Sequence, residues 1–157
     1  MTLLRPMQIQ DLEWVIALDQ KLPHSPRWPR SAYEGLLATP TNKLQTFACI
    51  AEREGEPVAL LIARLLLDGV ENPCELEWLA VEASFRRQGI ARQLLDALLP
   101  WAEAQGAHSI WLEVRASNGA AQQLYLHSGF KPVGRRKSYY RNPAEDAIEM
   151  QRYVITA

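Results

Sequence analysis

The chain has 157 residues, of which 48% are apolar, and a formal net charge of −1. That length predicts one domain, able to bury roughly 68–70% of its unfolded surface without disulfide or metal staples. The near-neutral balance excludes a general attraction to nucleic acid or an anionic membrane, so the local clusters Arg86-Arg87 and Arg135-Arg136-Lys137 carry more meaning than the total.

Residues 3–9 suit a short first strand, with Pro6 pointing to an edge or irregular position. From Asp11 to Leu22, apolar Leu12, Val15, Ile16 and Leu18 recur at helical spacing and predict an amphipathic helix. Leu22–Pro29 holds three prolines and reads as a loop, whose His24 and Trp28 either line a substrate entrance or pack the loop on itself. A second helix is expected from about Arg30 to Ala38, before Thr39-Pro40-Thr41-Asn42 breaks it. Thr46–Arg53 and Pro57–Leu67 are strand-like, joined by the turn Glu54-Gly55-Glu56. After the turns at Asp68-Gly69 and Asn72-Pro73, Cys74–Val81 forms a further strand. Cys49 and Cys74 are the only cysteines, and their apolar settings indicate buried thiols in a reducing compartment rather than a disulfide.

A helix is predicted from about Gly89 to Gln105, with Gly106 as its stop and Pro100 producing a kink or an early end. His108–Val114 alternates, with Ile110, Leu112 and Val114 on one face and Trp111, Glu113 and Arg115 on the other. Ser117 or Asn118 caps a helix over Gly119–His127, which Ser128-Gly129 ends. Phe130–Arg135 and Ala147–Ile155 read as closing strands around a polar loop, Lys137–Asp146. The order of elements predicts an α+β sheet covered by helices. No apolar run approaches the ~18 residues of a membrane span and no signal-peptide pattern opens the chain, so a cytoplasmic protein without a membrane partner is expected.

The strongest local signal is Leu79–Arg92, a strand ending at Val81, a basic turn, and a helix starting near Gly89. Such a junction points unpaired N–H groups and the positive end of a helix dipole at one spot. Small residues at Gly89 and Ala91 let an anion approach the main chain, which favours phosphate or pyrophosphate binding. The Gly-Lys-Ser/Thr ending of a P-loop and the three glycines of a dinucleotide-binding turn are both absent. Local physics leaves open a basic helix-cap loop that binds nothing.

The stretch Arg86-Arg87-Gln88-Gly89-Ile90-Ala91, preceded by Leu79-Ala80-Val81, matches the Gln/Arg-x-x-Gly-x-Gly/Ala signature of the GCN-five-related N-acetyltransferase (GNAT) superfamily. Trp111–Asn118, Leu124-Tyr125 and Gly129-Phe130 follow at family spacing, and Tyr139-Tyr140 with Glu145–Met150 complete the set. Over residues 75–151 it resembles the ribosomal-protein-alanine N-acetyltransferases of that superfamily. The resemblance implies a single GNAT domain spanning residues 1–157, with a mixed, mainly antiparallel sheet of six or seven strands flanked by about four helices. It also implies acetyl transfer from acetyl-CoA, without a metal, to a protein N-terminus, most directly the alanine of a small-subunit ribosomal protein. Transfer to other termini, lysines or small amines, and a silent acyl-CoA-binding module, stay open as alternatives.

By the same resemblance, Arg86, Arg87, Gln88, Gly89, Ile90, Ala91 and Arg92 hold the CoA pyrophosphate, and the edge of Leu79, Ala80 and Val81 pairs with the pantetheine arm. Asn118 matches a cofactor contact and also a helix cap. Glu113 takes the general-base position, acting directly or through a water, and Tyr125 the position that protonates the departing thiolate. Each has a structural reading as well: Glu113 as a strand carboxylate paired with an arginine, Tyr125 as a core ring. Glu77 is a rival base on the strand leading into the loop. Tyr139 and Tyr140 either flank the peptide channel or pack. Ala91 stands where a second glycine is commoner, which the pattern permits, and the divergent Leu22–Pro29 loop leaves the acceptor open.

Overall fold

The computed structural model describes residues 1–154. Among them the chain runs β1 (Thr2–Pro6), α1 (Leu12–Lys21), α2 (Arg30–Leu36), β2 (Leu44–Arg53), β3 (Glu56–Leu66) and β4 (Pro73–Val81), then α3 (Ile90–Ala104), β5 (Ser109–Arg115), α4 (Gly119–His127), β6 (Lys131–Tyr140) and β7 (Glu145–Tyr153). The strands form one seven-stranded sheet in the order β1-β2-β3-β4-β5-β7-β6, with only the β4–β5 pair parallel. This is the α+β architecture that the resemblance implies, with helices on both faces of a mainly antiparallel sheet. No described helix is long and apolar enough to cross a membrane.

β3 explains the long apolar run of the sequence, because it is central and buried on both faces. Its Leu61, Ala63 and Leu65 pack into a core with Leu94, Leu95 and Leu98 of α3, while Leu60 and Ile62 face Leu12, Val15 and Leu18 of α1. Both cysteines are buried in the first of these cores and are free thiols. β1 lies at the sheet edge, where Pro6 costs no ladder bond, and the strand stops there rather than running to residue 9. Pro100 does not end α3, which continues to Ala104, correcting the early end. The proline is exposed one turn from the terminus, so the carbonyl it leaves unbonded can meet water. Gly106, at φ +91°, then closes the helix, with Ala107 N–H on Ala102 O at 2.9 Å and Gly106 N–H on Glu103 O at 3.1 Å.

Two irregularities shape the middle of the sheet. The β3–β4 register shifts between Ile62 and Ala63, so Glu77 is an extra residue, a bulge. Beyond it Trp78 and Ala80 turn toward α1, and Leu79 and Val81 toward α3. The β4–β5 pairing is confined to Pro73–Glu75 against Ser109–Trp111, after which the two strands diverge. The remainder of β4 therefore presents an unpaired edge toward β5.

The final hairpin is longer than its sequence indicates. β6 extends to Tyr140 and β7 begins at Glu145, so most of the expected polar loop Lys137–Asp146 is strand. β6 is an edge strand exposed almost throughout, and without a buried face it shows no alternation to read. The end of the expected last strand, Ile155, lies outside the described residues.

Candidate active site

The 3₁₀ turn Ala83–Phe85 leads from β4 into the loop before α3, whose N-cap, Gly89, sits at φ +78°. A non-glycine residue would be strained there. Val81, Arg86, Arg87, Gly89, Ile90, Ala91 and Arg92 line a cleft of about 280 Å³. The first-turn N–H groups of α3 have no intrahelical acceptors, which makes this wall an electropositive anion seat. Phe85 and two α4 residues, Ala120 and Leu124, complete the lining and were not among the residues assigned from sequence. Their signal was the i, i+4 spacing of Ala120 and Leu124 on the less buried side of a weakly amphipathic helix.

The other residues of that set lie around the cleft. The Leu79 and Ala80 side chains pack into the two cores, leaving only their main chain on the diverging edge. Gln88 turns away, its Oε1 accepting a bond from Arg53 Nη1 at 2.7 Å. Arg86 Nε donates to Val81 O at 3.3 Å, and Arg92 pairs with Asp96 one turn on at 3.2 Å. Asn118 is the α4 N-cap, its Oδ1 accepting the Ala121 N–H at 3.1 Å, so its side-chain oxygen serves the helix.

Glu113 lies on β5 with its side chain on the face opposite Ile110, Leu112 and Val114, which enter the α3 core. The Tyr139 hydroxyl donates to Glu113 Oε2 at 3.3 Å, and Arg136 Nε stands 3.5 Å from Oε1. Glu149, directly across on β7, is also within 3.4 Å of Arg136 Nε. Arg136, of the basic cluster Arg135-Arg136-Lys137, thus faces two carboxylates. Burial, then the charges of Glu113 and Glu77, raises the Glu75 carboxyl above its ordinary value. Glu77, at the bulge, is held by both arms of Arg64 at 3.0 and 2.8 Å, and Arg64 lies over the Trp28 ring at 5.6 Å. The rival base is therefore committed to a forked ion pair, whereas Glu113 meets longer contacts.

Tyr139 and Tyr140 meet edge to face at 5.1 Å, and the Arg115 guanidinium covers Tyr140 at 4.2 Å. Arg115 is fixed by Glu145 at 3.1 Å, whose other oxygen accepts the Ser117 N–H at 2.6 Å. Burial first, then Glu113, pushes the Tyr140 hydroxyl up to about 12. Tyr125 is 8% exposed and packs edge-on against Phe130 at 5.7 Å, so its ring does fill core. Burial, then Tyr140, raises its hydroxyl well above the ordinary tyrosine value, keeping it a proton carrier at neutral pH. Among the described residues no cluster of three or more His, Cys, Asp or Glu is placed to hold a metal ion.

The chain is similar in sequence and fold to known acetyltransferases. A ribosomal protein bS18-alanine N-acetyltransferase of Haemophilus ducreyi is 41% identical over 100 residues, which is 62% of this chain and 66% of that protein. The counterpart of Escherichia coli K12 is 39% identical over 62% of this chain and 65% of its own length, so the chain spans just under two thirds of these relatives. An N-alpha-acetyltransferase RimI of Mycobacterium tuberculosis is 36% identical over 80% of this chain and 75% of its own. The crystal structure of the Escherichia coli ribosomal-protein-S18-alanine N-acetyltransferase superposes with a TM-score of 0.83 at 29% identity, covering 100% of this chain and 96% of that one. The acetyltransferase (GNAT) family model matches residues 8–130, and the chain belongs to that family.

Proposed function

We propose that the protein is a single-domain, cytoplasmic N-acetyltransferase. It moves an acetyl group from acetyl-CoA to a protein N-terminal α-amine, with the alanine of a ribosomal protein such as bS18 as first acceptor. The observation that carries this reading is the position of the cleft. It opens at the N-terminus of α3, beside the unpaired edge of β4, with Glu113 on the strand that diverges from it. The names of the relatives support the choice of acceptor.

The residues fit acetyl-CoA. The free N–H groups of Ile90, Ala91 and Arg92 and the exposed guanidinium groups of Arg86 and Arg87 suit a pyrophosphate. The main chain of Leu79–Val81 offers donors and acceptors to an amide-rich arm. Apolar Phe85, Ala120 and Leu124 cover the rest. When bound, acetyl-CoA supplies an electrophilic thioester carbon and a thiolate leaving group.

The acceptor nitrogen must be neutral to attack. An α-amine with a pKa near ~7.7–8.0 is roughly a tenth neutral at pH 7, whereas a lysine near ~10.4 is almost wholly charged. A single carboxylate therefore suffices for a terminus. Glu113 receives the proton, directly or through one water, and Tyr139 orients its carboxylate by bonding Oε2. Tyr125 keeps its hydroxyl proton until the thiolate departs, then donates it.

The test is turnover with acetyl-CoA across peptides that differ only in their first residue. Highest kcat/KM on the alanine-initial peptide, abolished by blocking its terminus, is the expected result. Turnover only on lysine side chains or polyamines would overturn it, and so would CoA binding without transfer.

A further inference from the structure

Glu113 and Glu149 are direct cross-strand partners on β5 and β7. Like charges placed opposite one another destabilise a sheet, so this pair is a local cost that needs a use. Both side chains are partly exposed, 29% and 25%, and turn the same way. Arg136 from β6 stands between them, with Nε 3.5 Å from Glu113 Oε1 and 3.4 Å from Glu149 Oε1. These contacts are longer than a charge-assisted bond of about 2.7–2.9 Å, and the guanidinium is 52% exposed. The neighbouring pairs are tighter: Arg64 holds Glu77 at 2.8 Å and Arg135 holds Asp146 at 2.7 Å.

The backbone beside this arrangement makes room for it. Gly134 is the register partner of Glu149, and a Cβ there would stand only 3.2 Å from Glu149 Oε1. The missing side chain lets the carboxylate lie against β6. The β6–β7 ladder is irregular on both sides of Gly134–Arg136, so Arg136, opposite Ala147, ends a three-residue regular stretch of this exposed edge strand.

We propose that Glu113 and Glu149 form a two-carboxylate seat for the acceptor's α-ammonium group, held by Arg136 until the acceptor displaces it. Glu149 is then a substrate-binding residue and Arg136 a resident competitor that offsets the carboxylate repulsion in the free protein. The incoming ammonium takes over the guanidinium's place and passes one N–H proton to Glu113 while Glu149 holds the nitrogen. The second proton leaves to solvent once the neutral amine has attacked the thioester carbon. The inference rests on the reading of this face as the acceptor site. It adds the second carboxylate and the exchange of cations.

The test compares Glu149→Gln, Arg136→Gln and Arg136→Lys in steady-state assays with an alanine-initial peptide, varying peptide and acetyl-CoA separately. Glu149→Gln should raise the peptide KM about fivefold, with kcat within about twofold. Arg136→Gln should lower the peptide KM about two- to fivefold at low salt, and Arg136→Lys should restore it toward wild type. The acetyl-CoA KM should stay constant throughout. An unchanged peptide KM in Glu149→Gln, an unchanged or higher one in Arg136→Gln, or equal shifts for both substrates would overturn the seat. Wild-type protein that acetylates no α-amine would instead overturn the proposed function itself.

Discussion

Glu113 and Glu77 show how two carboxylates of similar sequence context part ways once folded. Glu77 is gripped by Arg64 in a bidentate pair, and Arg64 lies over the Trp28 ring. Among the described residues Glu113 meets a tyrosine hydroxyl at 3.3 Å and Arg136 at 3.5 Å. The α-amine needs little help at neutral pH, so Glu113→Gln should lower kcat by about 100-fold, the low end for general-base catalysis, and leave the acetyl-CoA KM unchanged. Initial rates near pH 7 check this, and wild-type kcat in the variant would move the base elsewhere. Gly89 acts through its backbone. A Cβ would meet nothing within 4 Å, so its constraint is the φ of +78° rather than crowding by neighbouring atoms. Gly89→Val should therefore raise the acetyl-CoA KM at least tenfold, and Gly89→Asn, whose side chain tolerates the left-handed region, should raise it less. Equilibrium CoA binding separates the two, and equal affinity would refute the account of the loop.

At the scale of elements, the Leu22–Pro29 loop was legible only as a break, because what fixes it is distant in sequence or buried. Asp19 of α1 is 2% exposed and accepts the Arg27 N–H at 2.9 Å and the Tyr33 hydroxyl of α2. Trp28 then packs on Tyr33 at 5.4 Å. Asp19→Ala leaves the buried Tyr33 hydroxyl unpartnered and frees the Arg27 N–H, and should cost about 1–3 kcal/mol, visible as a lower midpoint in urea unfolding. The first strand is fastened in a similar way, by Arg5 forked onto Asp11 at 2.8 Å and reaching Glu52 at 2.7 Å. The Arg5 bond, with the Gln8 N–H, holds the Asp11 carboxyl below its ordinary range despite its burial. A depressed carboxyl stabilises the fold above the unfolded value of about 3.9 and loses that contribution as pH falls through the native one. The gap in unfolding free energy between wild type and Asp11→Asn should thus be about 1–3 kcal/mol at pH 7 and shrink toward pH 2. A gap independent of pH would contradict the pairing. The α3 helix, by contrast, was readable in full from Ile90, Leu94, Leu95 and Leu98, since local periodicity alone decides its buried face. Only the early end at Pro100 did not occur, because a proline one turn from the terminus frees a single carbonyl that water can bond.

Over the whole molecule, the proposed chemistry sits where the sheet stops being regular. The loop proposed to hold the cofactor was evident in the residues Arg86–Ala91, and a mainly antiparallel sheet of six or seven strands followed from the resemblance that this motif carries. The bulge at Glu77 was not evident, since simple alternation through Cys74–Val81 puts Glu77, Leu79 and Val81 on one face. Nor was the partnership of Glu113 with Arg136 and Glu149, which depends on the β5–β7–β6 register across the end of the chain. These are non-local facts, and no window of sequence holds them. In the proposed function, the divergence of β4 from β5 and the charged face of β5, β7 and β6 are where the acyl donor and the amine meet. The measurement that bears most directly on this account uses one alanine-initial peptide carrying an internal lysine. It is incubated with acetyl-CoA and the wild-type protein, and the acetyl group is located by fragment mass spectrometry. The account predicts a single acetyl group on the α-amine of the alanine. An acetyl group on the lysine side chain, or none on the peptide, would contradict it.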